Sequence, residues 1–167
     1  MSARTFEDLF VDELKDMYDA EKRIVKALPK LIKSAGSKEL ISMLEEHLGQ
    51  TEAHVARLDG AFRQLGLSPE RKSCEAMKGL LAEGEDLSTE SHDKMINDAA
   101  IIAAAQKVEH YEIATYGTLR EWARQLGHSE IANLLQQSLD EEASADRRLT
   151  QLSTSLNVEA AASSRGR

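Results

Sequence analysis

The stretch AQKVEHYEIATYGTL, residues 105–119, decides how this chain is read. It has the composition of a helix, yet two acids interrupt its inward stripe. The seam runs Ile102, Ala105, Glu109, Glu112, Tyr116, Leu119, Ala123, Leu126, in alternating steps of three and four. That spacing places all of them on one helical face. A charged outer face is ordinary. Two adjacent carboxylates inside an apolar seam are costly unless they neutralise, pair or bind metal. The rest of the chain has to supply the reason for them.

Composition narrows the answer. The 167 residues include 2 Pro and 9 Gly, and aromatic residues make up 4%. Helix formers dominate, so one all-α domain with a sizeable core is expected. A net charge of −8 argues against binding nucleic acid through the body of the protein. The basic SSRGR end is read as a disordered terminus rather than a nucleic-acid arm. The single Cys74 excludes an intrachain disulfide and suits a reducing compartment. Neither a signal peptide nor a membrane-length apolar run is visible, so a soluble cytoplasmic protein is the expectation.

Three further helices share the pattern. The first is predicted from about Thr5 to Lys33, with Thr5 and Asp8 in a capping arrangement. Its seam is Phe10, Leu14, Met17, Glu21, Ile24, Leu28, Leu31, with one acid in the middle. The second runs from about Lys38 to Leu65, with the seam Leu44, Leu48, Thr51, Val55, Leu58, Phe62, Leu65. His47 and His54 lie on one flank of that seam, and Gln50 lies further out on the same side. The helix that opened the argument extends from about Ile96 to Leu126. The last runs from about Ser129 to Leu156 along Ile131, Leu135, Ser138, Glu142, Ala145, Leu149, Leu152, Leu156. The tail from Asn157 is expected to fray.

The connections set the topology. Short breaks at residues 34–37 and 127–128 make two helical hairpins. Residues 67–96 form a long link, with a short helix predicted over Ser73–Glu85 and a polar loop over GEDLSTESHD. So long a link can return the chain along the bundle and leave the second and third long helices parallel. Hairpin, crossover, hairpin is the connectivity of a ferritin-like four-helix bundle whose crossover carries a short extra helix. One domain over residues 1–160 and a flexible tail over 161–167 are expected.

Counting back from each turn places Glu21 level with residue 51, Glu112 with about 143 and Glu109 with about 146. The seam acids Glu21, Glu109, Glu112 and Glu142 therefore share one layer, with His54, His47, Gln50 and Asp146 within about a turn. Four carboxylates balance two divalent cations, and mixed oxygen and imidazole donors suit iron or manganese better than copper, with zinc as a further candidate. The eight residues are the candidate ligands. The competing reading is a polar core network that Lys22, Lys107 or Arg120 reach to neutralise. Tyr116 reads as core or as a hydrogen-bond partner of a ligand carboxylate. The paired acids at 45–46 and 141–142 read as solvated, except Glu142.

The stretches LKDMYDAEKRIVKALPKL, AAQKVEHYEIATYGTL and LDEEASADRRLTQL resemble the YciF/YciE-type bacterial stress proteins, and the resemblance covers nearly the whole chain. It implies a rubrerythrin-similar, ferritin-like bundle, a homodimer and induction under stress. Glu21 matches the single first-helix ligand of better-known ferritin-like proteins, and Glu109 with Glu112 matches an ExxE variant. The expected ExxH of the second helix reads Thr51-Glu52-Ala53-His54, and Gln50 stands where family members often carry Glu. In the last helix ExxH reads Glu142-Ala143-Ser144-Ala145, with Asp146 next along. Two functions follow as expectations. One is a metal-binding stress protein handling iron or peroxide at a dinuclear site. The other is a structural or interaction protein with a degraded or merely structural site.

Overall fold

The structure, a computed structural model, describes residues 5–89 and 93–163. Its helices are α1 (Phe6–Ser34), α2 (Lys38–Gln64), α3 (Glu75–Thr89), α4 (Lys94–Gln125) and α5 (Ser129–Ser163). Each long helix starts or stops where local chemistry dictates. Thr5 Oγ1 accepts from Asp8 N while Asp8 accepts from Thr5 N, so the expected cap is a full capping box. Ser37 caps α2 and Asp93 caps α4. Gly66 and Gly127 adopt φ of 71° and 82°, the left-handed conformation that closes a helix C-terminus at no Cβ penalty.

The seams are the core. Phe10, Leu14, Met17, Leu58, Phe62, Tyr116, Leu119, Ile131 and Leu135 are fully or almost fully buried. Leu31, Leu48, Leu65, Ala105, Leu126 and Leu152 are only half-buried, at the ends or edges of their stripes.

Side-chain contacts fix the directions. At one end Phe6 packs on Trp122 and His128 bonds Glu7. At the other, Asp98 accepts from Gly36 N at 2.7 Å and Ser37 N at 2.8 Å. Hence α1 and α4 are antiparallel. Contacts of Arg148 with Glu46 and of Arg57 with Glu141 make α2 and α5 antiparallel as well. Since each hairpin is antiparallel, α2 and α4 run parallel, which the long link requires. Cys74 N donates to the buried Asp19, and Lys30 pairs with Glu85, so α3 climbs alongside α1 and carries the chain back to the start of α4.

Two boundary expectations change. The polar stretch from Gly84 to Thr89 is helical, as the last turns of α3. A Cβ added at Gly84 would stand 3.1 Å from Ala104 Cβ, so this glycine serves close approach of α3 to α4 rather than a loop. The last helix does not fray at Asn157 but continues to Ser163, because Leu156 and Ala160 extend its buried stripe by another turn. Residues 161–163 of the expected tail are therefore helical, and 164–167 lie outside the described residues.

Candidate metal centre

Each helix of the bundle delivers its polar seam residue to one level. Glu21 from α1, His47 and His54 from α2, Glu109 and Glu112 from α4, and Glu142 from α5 are all buried. They form two groups: Glu21, His54, Glu112 and Glu142, and His47, Glu109, Glu112 and Glu142. Within each group one ligand atom per residue lies within 4.8 Å of all the others. Glu112 and Glu142 belong to both groups, which is the arrangement of two bridging carboxylates between two terminal Glu/His pairs.

Distances describe how tightly the cluster is drawn. His54 Nδ1 lies 2.8 Å from Glu142 Oε1 and 3.2 Å from Glu21 Oε1. His47 Nε2 lies 3.2 Å from Glu109 Oε1. The cluster is nevertheless unsatisfied from within. Glu21 Oε2, Glu109 Oε2 and both oxygens of Glu112 are buried and accept from no N–H donor among the described residues, and His54 Nδ1 is the one nitrogen there that meets Glu142. Buried polar atoms left so are rare and costly. Lys22, Lys107 and Arg120 do not neutralise it: Lys107 pairs with Glu83 and Arg120 bonds Gln136, both away from the acids, while Lys22 lies over the Tyr18 ring.

Protons partly take the place of cations. Burial, then the charges of Glu142, Glu21 and Glu109, push the Glu112 carboxyl well above the usual range. Burial and contact with Glu142 do the same to Glu109. Glu142 goes the other way despite its burial, held at about 2 by the Glu109 proton and by His54. Burial lowers the affinity of His54 for a proton, but Glu142 and Glu21 outweigh it and hold the ring at about 10. The metal-free cluster is thus a proton-loaded one, and divalent cations at the same place compete with those protons. Oxygen and imidazole donors together are a donor set that can hold a divalent metal ion.

A second layer orients the donors. His54 Nε2 donates to Glu141 Oε2 at 2.8 Å, and Arg57 holds Glu141 with two bonds of 2.8 Å. This carboxylate–histidine pairing aims Nδ1 at the cluster. Tyr116 OH donates to Glu21 Oε1, and its ring meets His54 edge-on at 5.7 Å. Thr51, fully buried, spends its hydroxyl on His47 O at 2.9 Å and so is committed to the backbone of its own helix.

Six of the eight candidate ligands therefore meet. Gln50 is half-buried and lies further around α2 than the histidines, toward the helix's outer side. Asp146 is outside both groups, taking bonds from Gln106 at 3.2 Å and lying 3.3 Å from His110 Nε2. Glu141 is the residue that sequence reasoning missed. It sits one position off the α5 seam and reads as solvated. The signal that identifies it is Arg57 on α2, which lies near its level only once the two helices are paired.

The comparisons agree with this architecture. The profile of a domain family of unknown function (DUF892) matches residues 5–162. Protein YciF of Escherichia coli (strain K12) is 41% identical over 153 residues, covering 91% of this chain and 92% of that protein. The crystal structure of the E. coli stress protein YciF superposes with a TM-score of 0.88 at 40% identity, over 92% of this chain and 97% of that one. YcfI of Rhodopseudomonas palustris, a candidate structural protein, gives 0.88 at 45% identity, over 89% of this chain and 95% of that one. A Xanthomonas campestris protein (XCC3681) shares the fold, with a TM-score of 0.76 at 21% identity over 93% of this chain and 95% of that one. The chain therefore belongs to the DUF892 family, as a YciF-type protein with a ferritin-like fold.

Proposed function

We propose that this chain is a stress-response protein that holds a dinuclear iron or manganese centre and handles iron or peroxide with it. The observation that carries the reading is the pair of four-residue groups sharing Glu112 and Glu142, with both oxygens of Glu112 buried and accepting from no N–H donor among the described residues. Glu21 and His54 would hold one ion, His47 and Glu109 the other, and Glu112 and Glu142 both. A bound iron or manganese pair supplies electron exchange with oxygen or peroxide. The protein's part is positioning. Glu141 and Arg57 keep the His54 ring oriented, and Tyr116 fixes Glu21. We extend the proposal to a cytoplasmic homodimer, as the family resemblance implies; sedimentation at several concentrations checks the assembly. Metal content after native purification, followed by ferrous oxidation and peroxide consumption, tests the function. Protein that takes up neither iron nor manganese contradicts it.

A second reading has its own support. Thr51 contributes nothing to the cluster and Ala145 stands where a fuller ligand set would place histidine. On this reading the metal only braces a structural or interaction protein. Metal-loaded protein that melts higher yet neither oxidises ferrous iron nor consumes peroxide favours it.

A further inference from the structure

Beside the cluster lies a cavity of about 490 Å³, bounded by all five helices. Small-molecule sites occupy about 300–1,000 Å³ and are mostly apolar with a few placed polar groups. This one fits that description. Leu28, Leu31, Leu44, Leu81, Val108 and Leu149 form its walls. Ala104, Ala105 and Ala145 leave the space that larger side chains would fill. Its floor is His47 and Glu109, the pair that serves only the second group of candidate ligands.

The mouth has the opposite sign to the molecule. The chain carries −8 overall, yet Lys26, Lys30 and Lys78 stand around the opening against Glu85, beside an Arg23 committed to the buried Asp19. Lys30 meets Glu85 at 3.2 Å and Lys78 meets Glu75 at 3.4 Å, with all four side chains more than half exposed. Pairs so exposed are weak and exchange readily for another anion. Lys26 is exposed and pairs with no carboxylate among the described residues. With Lys26 uncompensated and the Lys30 pair exposed, such an opening favours an anionic head group.

We propose that the cavity binds a single-chain fatty carboxylate. Its hydrocarbon chain fills the apolar throat down to His47 and Glu109, and its carboxylate sits at Lys26 and Lys30. Charge complementarity at the mouth and an apolar interior of this volume select that class over a neutral or cationic amphiphile. Binding does not depend on the dinuclear reading, because the same two side chains close the floor whether or not they hold an ion. Only contact between the buried chain end and a metal-bearing site rests on it.

Calorimetric titration of the full chain with laurate, in chelator and again with manganese, tests this. Saturable binding at one site per chain is expected in both. Ala105→Phe and Leu81→Trp each shut out two or more methylenes and weaken binding at least about tenfold, with melting checked alongside. Lys26→Glu weakens laurate about fivefold at low salt and leaves dodecanol unchanged. No binding, or affinity untouched by both throat substitutions, overturns the inference. So does affinity that falls with protein concentration as the chains associate, because a second copy would then be the occupant. Throat-dependent laurate binding by a protein that takes up no metal leaves the inference standing and removes the dinuclear reading.

Discussion

Replacing Glu112 by Gln separates the cost of the cluster from its use. The amide keeps the size of a protonated carboxyl and carries no titrating proton. Glu112 is fully buried, and burial together with Glu142, Glu21 and Glu109 raises its carboxyl well above 4.5. In chelator the folded chain keeps a proton that the unfolded chain releases. The stabilisation is complete below the unfolded value and declines by about 1.4 kcal/mol per pH unit above it, until the folded group also ionises. Glu112→Gln lacks this decline. It should melt like the parent near pH 4.5 and increasingly above the parent as pH rises. With manganese the order inverts. Ions bound at about a hundred times their dissociation constant add about 3 kcal/mol to the parent, and the variant, without a carboxylate common to both groups, loses most of that gain. Scanning calorimetry from acid to mildly alkaline pH, with chelator and with manganese, reads both effects. A variant less stable than the parent at every pH in chelator, or one raised equally by manganese, refutes the reasoning.

Three further outcomes follow from the same contacts. Glu141→Ala releases His54 Nε2 and the Arg57 fork, and should weaken manganese binding by about 10–100-fold while the helical circular dichroism is kept. Metal binding should release protons, because His54 at about 10 and the raised Glu109 and Glu112 must give theirs up; a pH-stat titration measures the release, and affinity should rise with pH. Asp98→Ala removes the acceptor of Gly36 N and Ser37 N and should cost about 2–3 kcal/mol in a thermal or urea melt, without altering metal stoichiometry.

Much of the fold was legible because helical periodicity is a strong signal over long segments. The seams of α1, α4 and α5 are the buried faces, and the four seam acids share a level because two short turns fix the register of each hairpin. The histidines were legible only as flank residues. On α2 the buried stripe is turned toward them, through His47, Thr51 and His54, and the expected seam residue Leu48 is left half-buried. Gln50 lies further around the same helix and stays half-buried. Asp146 lies off the α5 seam and turns toward Gln106 and His110 on the outer side of α4. Glu141 was illegible because its role depends on Arg57 of another helix, and a single strand of sequence shows no such pairing. The ends of α3 and α5 misled for a different reason. Gly84–Thr89 carries weak helix propensity and close approach of Gly84 to Ala104 decides it, whereas Asn157–Ser163 is rich in alanine, a strong helix former, and the buried Leu156 and Ala160 carry the stripe on.

The central claim is that the six buried side chains of α1, α2, α4 and α5 hold two ions. Anomalous diffraction from crystals grown with manganese and with ferrous iron, collected at the edge of each metal, tests it directly. Two peaks about 3.5–4 Å apart, both within reach of Glu112 and Glu142, are predicted. Crystals soaked with excess of either metal that show no anomalous peak among Glu21, His47, His54, Glu109, Glu112 and Glu142 would contradict it.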